Sequence, residues 1–167
     1  MIADNQQERA LITENLKWFL AGFVEGEGSF CVSIKKHPTA KYGYIVDPEF
    51  ILYQHKNREE ILYFAKSYFR SGSIAPKPGN EDVLVYKIQN RTTLLEKVIP
   101  FLDKYMIYST RKDDIIKFEK IVRDLINKKH STKEGLIEII HLAYSMNMDG
   151  KQRKRNKEEV IDEILRG

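Results

Sequence analysis

Between residues 11 and 36 the apolar residues change their period, and the change constrains the fold more than any other feature of the chain. From Leu11 to Val24 the residues Leu16, Phe19, Leu20 and Phe23 recur at three- and four-residue spacing, as one buried face of a helix requires. From Ser29 the period is two: Phe30, Val32 and Ile34 alternate with Cys31, Ser33 and Lys35, the pattern of a strand half buried on one face. Thr13 is the expected N-cap of the helix. Gly26-Glu27-Gly28 is its expected end, because glycine loosens a helix and accepts the left-handed conformation that closes one. The helix is therefore expected to stop at Glu25 or Gly26 and to feed a strand.

Downstream, one order of elements is read twice. His37 to Gly43 reads as a loop and Tyr44 to Gln54 as a second strand, with Pro48 implying an edge or bulge position. Asn57-Arg58-Glu59-Glu60 has the form of a capping box, opening a helix with Ile61, Phe64, Ala65 and Tyr68 as its buried stripe. Ser73 to Lys77 and Val83 to Gln89 then read as a hairpin across Pro78-Gly79-Asn80, and Thr93 with Glu96 caps a helix ending before Pro100. Three further helices follow. Thr110 with Asp113 opens one carrying Ile115, Phe118, Val122 and Leu125, Ser131 with Glu134 opens another carrying Ile137, Ile140 and Tyr144, and Asn156 with Glu159 opens the last. The predicted string is αββαββα followed by C-terminal helices, an α+β fold with a four-stranded antiparallel sheet. With 167 residues it is expected to form one domain over residues 1–167, with a core over about residues 11–130 and the extra helices after it.

Composition narrows the class. There is no apolar run near the roughly 20 residues a membrane span needs, and Met1 to Arg9 lacks both a signal-peptide core and transit-peptide character. An intracellular protein is expected, with no membrane partner, and an organellar site (chloroplast or mitochondrion) stays open. Cys31 is the single cysteine, and four scattered histidines offer no zinc spacing. Asn90-Arg91-Thr92 matches a glycosylation triplet, which carries no weight without a secretory signal. A net charge of +4 and a pI near 9.0 agree with a polyanionic partner.

Leu20-Ala21-Gly22-Phe23-Val24-Glu25-Gly26-Glu27-Gly28, followed by Ser29-Phe30, closely resembles the signature of the LAGLIDADG homing endonucleases, in the helix-to-strand context that signature requires. The small residues Ala21, Gly22 and Gly26 let a second helix backbone come close. With one motif per chain, the resemblance implies a homodimer packed through this helix, with Ala21, Gly22 and Glu25 at the dimer interface. It implies that Glu27 and the Gly26 carbonyl bind divalent metal, Mg2+ in the first instance, since oxygen ligands suit hard cations. Glu27 stands where many relatives carry the shorter aspartate. By the same resemblance Gln54 touches metal-bound water, Arg58 sits near the scissile phosphate, and a basic residue opens the helix after the second ββα unit. Lys112 is the choice for that residue, with Arg111 the competitor. The chemistry implied is phosphodiester hydrolysis of double-stranded DNA by metal-assisted in-line displacement, leaving short 3′ overhangs.

If the apolar alternates Phe30, Val32, Ile34, Phe50, Leu52, Leu84, Tyr86 and Ile88 pack under helices, the opposite face holds Ser33, Lys35, Lys77, Lys87 and Gln89, joined by Asp47 and Glu49. Such a face suits the major groove, where lysine donates to guanine, glutamine pairs with adenine and acids accept from cytosine. Each protomer would read half of a long, pseudo-palindromic site. The run Lys151 to Lys157, five basic residues in seven, would add phosphate contacts. Two alternatives share the fold: an RNA maturase acting on its host intron RNA, and a DNA-binding protein that has lost cleavage.

Overall fold

The computed structural model describes residues 2–107, 109–147 and 155–166, with side chains from residue 13 onward. The first helix, α1 (Ile2–Glu27), is longer at both ends than its apolar period suggests, running past Thr13 and through Gly26. Gly26 is not among the glycines with positive φ. The decisive glycine is Gly28, which opens β1 (Gly28–Lys36): a Cβ there would lie 2.5 Å from the Val24 carbonyl oxygen. Its missing side chain lets the strand leave the last helical turn with no connecting loop.

β1 pairs antiparallel with β2 (Tyr44–His55) from Gly28↔Leu52 to Lys36↔Tyr44. The capping box expected at Asn57 does not form. His55 Nδ1 instead accepts from the Asn57 N–H at 3.2 Å and caps a 3-10 turn over Lys56–Arg58, so α2 begins only at Glu60 (Glu60–Phe69). Leu62, Ala65 and Phe69 are its buried residues, with Ile61, Phe64 and Tyr68 packed at the margin. β3 (Ser73–Lys77) and β4 (Asn80–Ile88) form the second hairpin, turning on Gly79 at φ 79°.

The helix after β4 departs most from expectation. Asn90, not Thr93, is the cap, its side chain accepting from the Thr93 N–H at 2.9 Å. The helix does not stop before Pro100: α3 (Arg91–Thr93) runs through a π turn (Leu94–Val98) into α4 (Ile99–Tyr105). Within that turn the Ile99 N–H reaches back five residues to the Leu94 carbonyl. The wider turn directly precedes the proline, which lacks an N–H and whose ring would crowd an ordinary α-turn.

The sheet order is β1-β2-β4-β3, so β2 is an interior strand. Pro48 is nonetheless accommodated, because β4 pairs with β2 only from Phe50 onward and leaves the first half of β2 with an open edge. The Val46 carbonyl is turned to that edge, where Arg91 Nη2 donates to it at 3.1 Å. Since the N–H and C=O of one residue point the same way in an antiparallel ladder and alternate along the strand, the donor that Pro48 lacks would also have pointed to the open edge.

The C-terminal helices are α5 (Lys112–Ile126), α6 (Lys133–Tyr144) and α7 (Lys157–Arg166). The caps of α6 and α7 sit close to the expected positions, whereas α5 opens at Arg111 with no side-chain cap, so the cap expected of Thr110 does not form. Ser109 Oγ accepts from the Arg111 N–H before α5, Thr132 takes the place expected of Ser131 before α6, and Asn156 caps α7. One face of the sheet, including Phe30, Phe50, Leu52, Tyr86 and Ile88, is fully buried under helices, and a single apolar cluster runs from Leu20 to Ile164. Phe69 contacts Phe50 and Phe101 edge-on at 5.6 and 5.4 Å, an arrangement that suits the ring quadrupoles. Among the described residues no helix is long and apolar enough to cross a membrane.

Candidate active site and nucleic-acid interface

The end of α1 is electronegative by construction. Its last turn carries no basic residue, its terminal carbonyls have no helical partners, and Gly26 and Glu27 are exposed there. Glu25 is half buried, with Oε2 buried and lacking a hydrogen-bond partner. Arg111 closes the junction from the other side. Its guanidinium lies 4.2 Å over the Phe30 ring and donates to the carbonyls of Gly28 (3.0 Å), Val24 (3.4 Å) and Glu25 (3.4 Å). Burial draws the guanidinium pKa below its usual range, while the charges of Glu25 and Asp114 hold it up. Of the two basic candidates, then, Arg111 is built into the helix-to-strand junction and Lys112, the first residue of α5, is exposed.

Register brings Gln54 to the same end. Gly28 faces Leu52, so Gln54, two residues further along β2, runs beside the last turn of α1. Its Oε1 accepts from the His55 N–H at 2.8 Å, which fixes the side chain and leaves its amide N–H groups to donate elsewhere. Arg58 closes the following 3-10 turn and is exposed. Its neighbour Lys56 is tied to Asp82 at 2.6 Å, which holds that carboxyl below its usual range.

On the outer side of α1 a stripe stays open. Leu16 and Phe19, the latter 63% exposed, lie on it with Gly22 and Gly26, where an added Cβ would meet nothing within 4 Å. Ala21, grouped with Gly22 on the sequence alone, instead turns into the chain's own core at 4% exposure, because the inward stripe is Leu20, Ala21 and Val24.

The polar face of the sheet holds an arrangement that the sequence reading missed. Glu49, expected to stand beside the other face residues as an equal, is only 6% exposed and sits among donors. Gln89 Nε2 donates to its Oε1 at 2.6 Å, and the Lys87 and Lys35 ammonium groups lie 3.6 and 3.9 Å from its oxygens. Lys35 also donates to Asp47 at 3.0 Å, a bond that raises its pKa. Ser33 pairs with Asp47 across the ladder, and Lys77 lies 5.3 Å over the Tyr53 ring. Strand register was the missing signal: Ile51 faces Lys87, so two residues along β2 Glu49 comes level with Gln89. Of the basic run Lys151–Lys157, residues 151–154 lie outside the described residues. Lys157 pairs with Glu158 at 3.6 Å, and the Arg155 carbonyl accepts from the Tyr144 hydroxyl.

The model of the LAGLIDADG endonuclease family matches residues 20–122, from the last turns of α1 into α5. The chain belongs to the LAGLIDADG endonuclease family. It is 38% identical over 135 residues to the DNA endonuclease I-CeuI of Chlamydomonas moewusii, an alignment covering 79% of this chain and 62% of that protein. Homing endonuclease I-ApeII of Aeropyrum pernix is 29% identical over 153 residues, 90% of this chain and 89% of the relative. The chain thus spans less than two thirds of the Chlamydomonas enzyme, and 28% of a probable intron-encoded endonuclease of Neurospora crassa that is 30% identical over 129 residues. Among solved structures, I-CeuI complexed with DNA superimposes with a TM-score of 0.83 at 36% identity, covering 90% of this chain and 76% of that one. The archaeal intron-encoded homing endonuclease I-Vdi141I complexed with DNA gives 0.82 at 31% identity, over 90% and 94%. The four-stranded antiparallel sheet under helices is thus the LAGLIDADG fold, with α6 and α7 beyond the stretch that defines the family.

Proposed function

We propose that this protein is a site-specific endonuclease that cuts both strands of duplex DNA with divalent metal ions, and that residues 1–167 act as one domain working in a pair of identical chains. One observation carries the reading: α1 bears both an open small-residue stripe and, at its exposed end, Gly26 and Glu27, with Gln54 brought by β2 to the same end. Pairing two chains through that stripe sets two copies of Glu27 near one axis.

The donor set fits a hard cation. Glu27 and the Gly26 carbonyl offer oxygen only, at a helix end whose partial charge is negative, and the three carbonyls that Arg111 occupies are those of Val24, Glu25 and Gly28. Among the described residues no three acidic, histidine or cysteine side chains gather in one chain, so a full ligand set calls for the second copy and the DNA phosphates. Magnesium, when bound, supplies an activated water and stabilises the leaving oxygen of an in-line displacement. Gln54 orients the attacking water through its free amide N–H groups. Arg58 offsets the charge that develops on the phosphate, and Lys112, exposed at the start of α5, adds to it. Arg111 holds the turn that presents Glu27. Ser33, Lys35, Asp47, Glu49, Lys77, Lys87 and Gln89 form the face laid along the major groove, and cleavage on each side of the axis leaves short 3′ overhangs.

A supercoiled plasmid carrying the target tests this. With magnesium the protein should linearise it, while Glu27→Gln should keep duplex affinity within a few-fold and lose at least about a hundredfold in cleavage rate. Normal cleavage by Glu27→Gln would remove Glu27 from the metal site. Sedimentation of the DNA complex should report two chains of 19.6 kDa, and one chain per duplex would refute the pairing through α1.

A further inference from the structure

At the end of the sheet away from Glu27 lies a cavity of about 310 Å³ whose chemistry the proposed nuclease site does not use. It opens where β4 no longer covers β2, beside the residues Tyr44 to Val46. Arg91 holds the Val46 carbonyl at 3.1 Å, and the Val46 N–H points to the same edge. The loop between β1 and β2 supplies another wall. Lys41 Nζ and the Tyr42 hydroxyl both donate to the Ser131 carbonyl, at 2.9 and 3.0 Å, and the ammonium lies 5.0 Å over the Tyr42 ring. His130 lines the cavity from the turn before α6, and its Nδ1 is buried without a hydrogen-bond partner.

The lining contains no carboxylate. Arg91 and Lys41 are held by bonds to neutral carbonyls, so neither charge is cancelled by the group that positions it. On the polar face of the sheet the opposite holds, with Lys35 and Lys87 set against Asp47 and Glu49. A guanidinium, an ammonium and a backbone N–H around one space offer several donors to one tetrahedral group with several acceptor oxygens. Tyr42 and Tyr44 add ring surface for whatever the group is attached to.

We infer that this cavity is a phosphate-binding site, with Lys41, Arg91 and the Val46 N–H holding the phosphate oxygens beside the His130 ring. Its volume suits a phosphate with its sugar and does not suit passage of a polynucleotide. Two sources share that chemistry, a free nucleotide and a DNA backbone phosphate. Eight residue-to-residue steps of β1 separate the Gly28 and Lys36 ends of the ladder. At about 3.3 Å per residue they span roughly 27 Å, the rise of about eight base pairs. A duplex laid along the polar face would bring the outer part of its half-site to the same height along β1 as the cavity, and a backbone phosphate would have to enter it round the open edge of β2. Only this second source rests on the nuclease reading.

The test is a titration of the full chain, without DNA or metal, followed through the NMR signals of the His130 ring. Inorganic phosphate should move them saturably, chloride at equal ionic strength should not, and Lys41→Gln, a change at an exposed residue, should weaken the phosphate response at least about tenfold while leaving the melting temperature in place. Arg91→Lys keeps the charge, loses the fork and should weaken it less. A response that chloride reproduces, or that survives Lys41→Gln unchanged, overturns the inference. Deoxyadenosine 5′-monophosphate and the target duplex identify the source. If the duplex abolishes the phosphate response and a duplex trimmed at its outer ends restores it, the site clamps backbone. If the mononucleotide outcompetes phosphate and the duplex does not, the site takes a free nucleotide. Because the titration needs no cleavage, it can hold or fail independently of the nuclease reading.

Discussion

The two faces of the sheet are built on different physics. On the helix side Phe30, Phe50, Leu52, Tyr86 and Ile88 are all fully buried, and the one hydroxyl in that row, Tyr86, donates to the Ser71 carbonyl at 2.8 Å. On the other side the most buried polar side chain is Glu49, addressed by Gln89, Lys87 and Lys35. Apolar burial is non-directional and scales with area, so that face tolerates any residues of suitable size and shape. A buried carboxylate held by one hydrogen bond and two nearby ammonium charges depends on where each partner stands. On the proposed function, the sheet would hold its DNA-facing donors in place before DNA arrives: Glu49 would serve less as a reader of bases than as the internal acceptor that sets the readers, with the ordering entropy met on folding instead of on binding.

The largest effect that could break this picture lies on the dry face. Phe50→Ala removes a fully buried ring that packs on Phe69, and should cost about 3–5 kcal/mol. For a chain of this size that lowers the melting temperature by roughly 10 °C. Calorimetry measures the loss, and cleavage assays below the transition should show the preference among target variants unchanged. A shift in preference would mean that the faces are not separable.

Next in size is Glu49. Glu49→Ala leaves Gln89 without its acceptor and two lysines without their shared counter-charge, at a cost of about 1–3 kcal/mol. Its distinctive signature is loss of discrimination at the base pairs facing Lys35, Lys87 and Gln89, measured on a panel of single-base target variants, with partial recovery in Glu49→Gln. A loss of stability with the discrimination pattern intact would reduce Glu49 to a structural residue.

The dry face was legible because alternation needs no knowledge of partners: Phe30, Val32, Phe50, Leu52, Tyr86 and Ile88 read as buried from period two alone, and they are, while Ile34 and Leu84 of the same row are only partly buried. The helix-to-strand junction was legible through its glycines, although the one that matters sterically is Gly28 and the helix passes straight through Gly26. Caps came out shifted, Asn90 for Thr93 and Thr132 for Ser131, because several neighbouring side chains can cap and tertiary packing selects among them. What could not be read were contacts made across the chain. The approach of Arg111 to Val24 and Gly28, the row joining Lys35, Glu49 and Gln89, and the cavity shared by Lys41, Arg91 and His130 all depend on register and on helix placement. Pro48 shows the same boundary, since its edge character was readable but the cause, a partner strand that stops at Phe50, was not.

The smallest expected effect is the response to mild acid, and it also separates the two sides. On the polar face Lys35 is held charged to higher pH by Asp47, so it undergoes no proton change near neutrality. On the helix side burial, and after it the charge of Arg91, pushes the His130 pKa below its ordinary value near 6.5. The folded protein then holds this ring neutral while the unfolded chain protonates it, so below about pH 6.5 the unfolded state binds more protons and stability declines as the pH falls. The contribution is complete above that value and is lost on the way down to the folded pKa. His130→Gln should flatten this limb: the gap in melting temperature between wild type and variant stays constant above about pH 7 and narrows by a degree or two toward about pH 5.5. Parallel curves through that range would mean that the ring titrates as though in water, and that the cavity it lines is open enough to hydrate it.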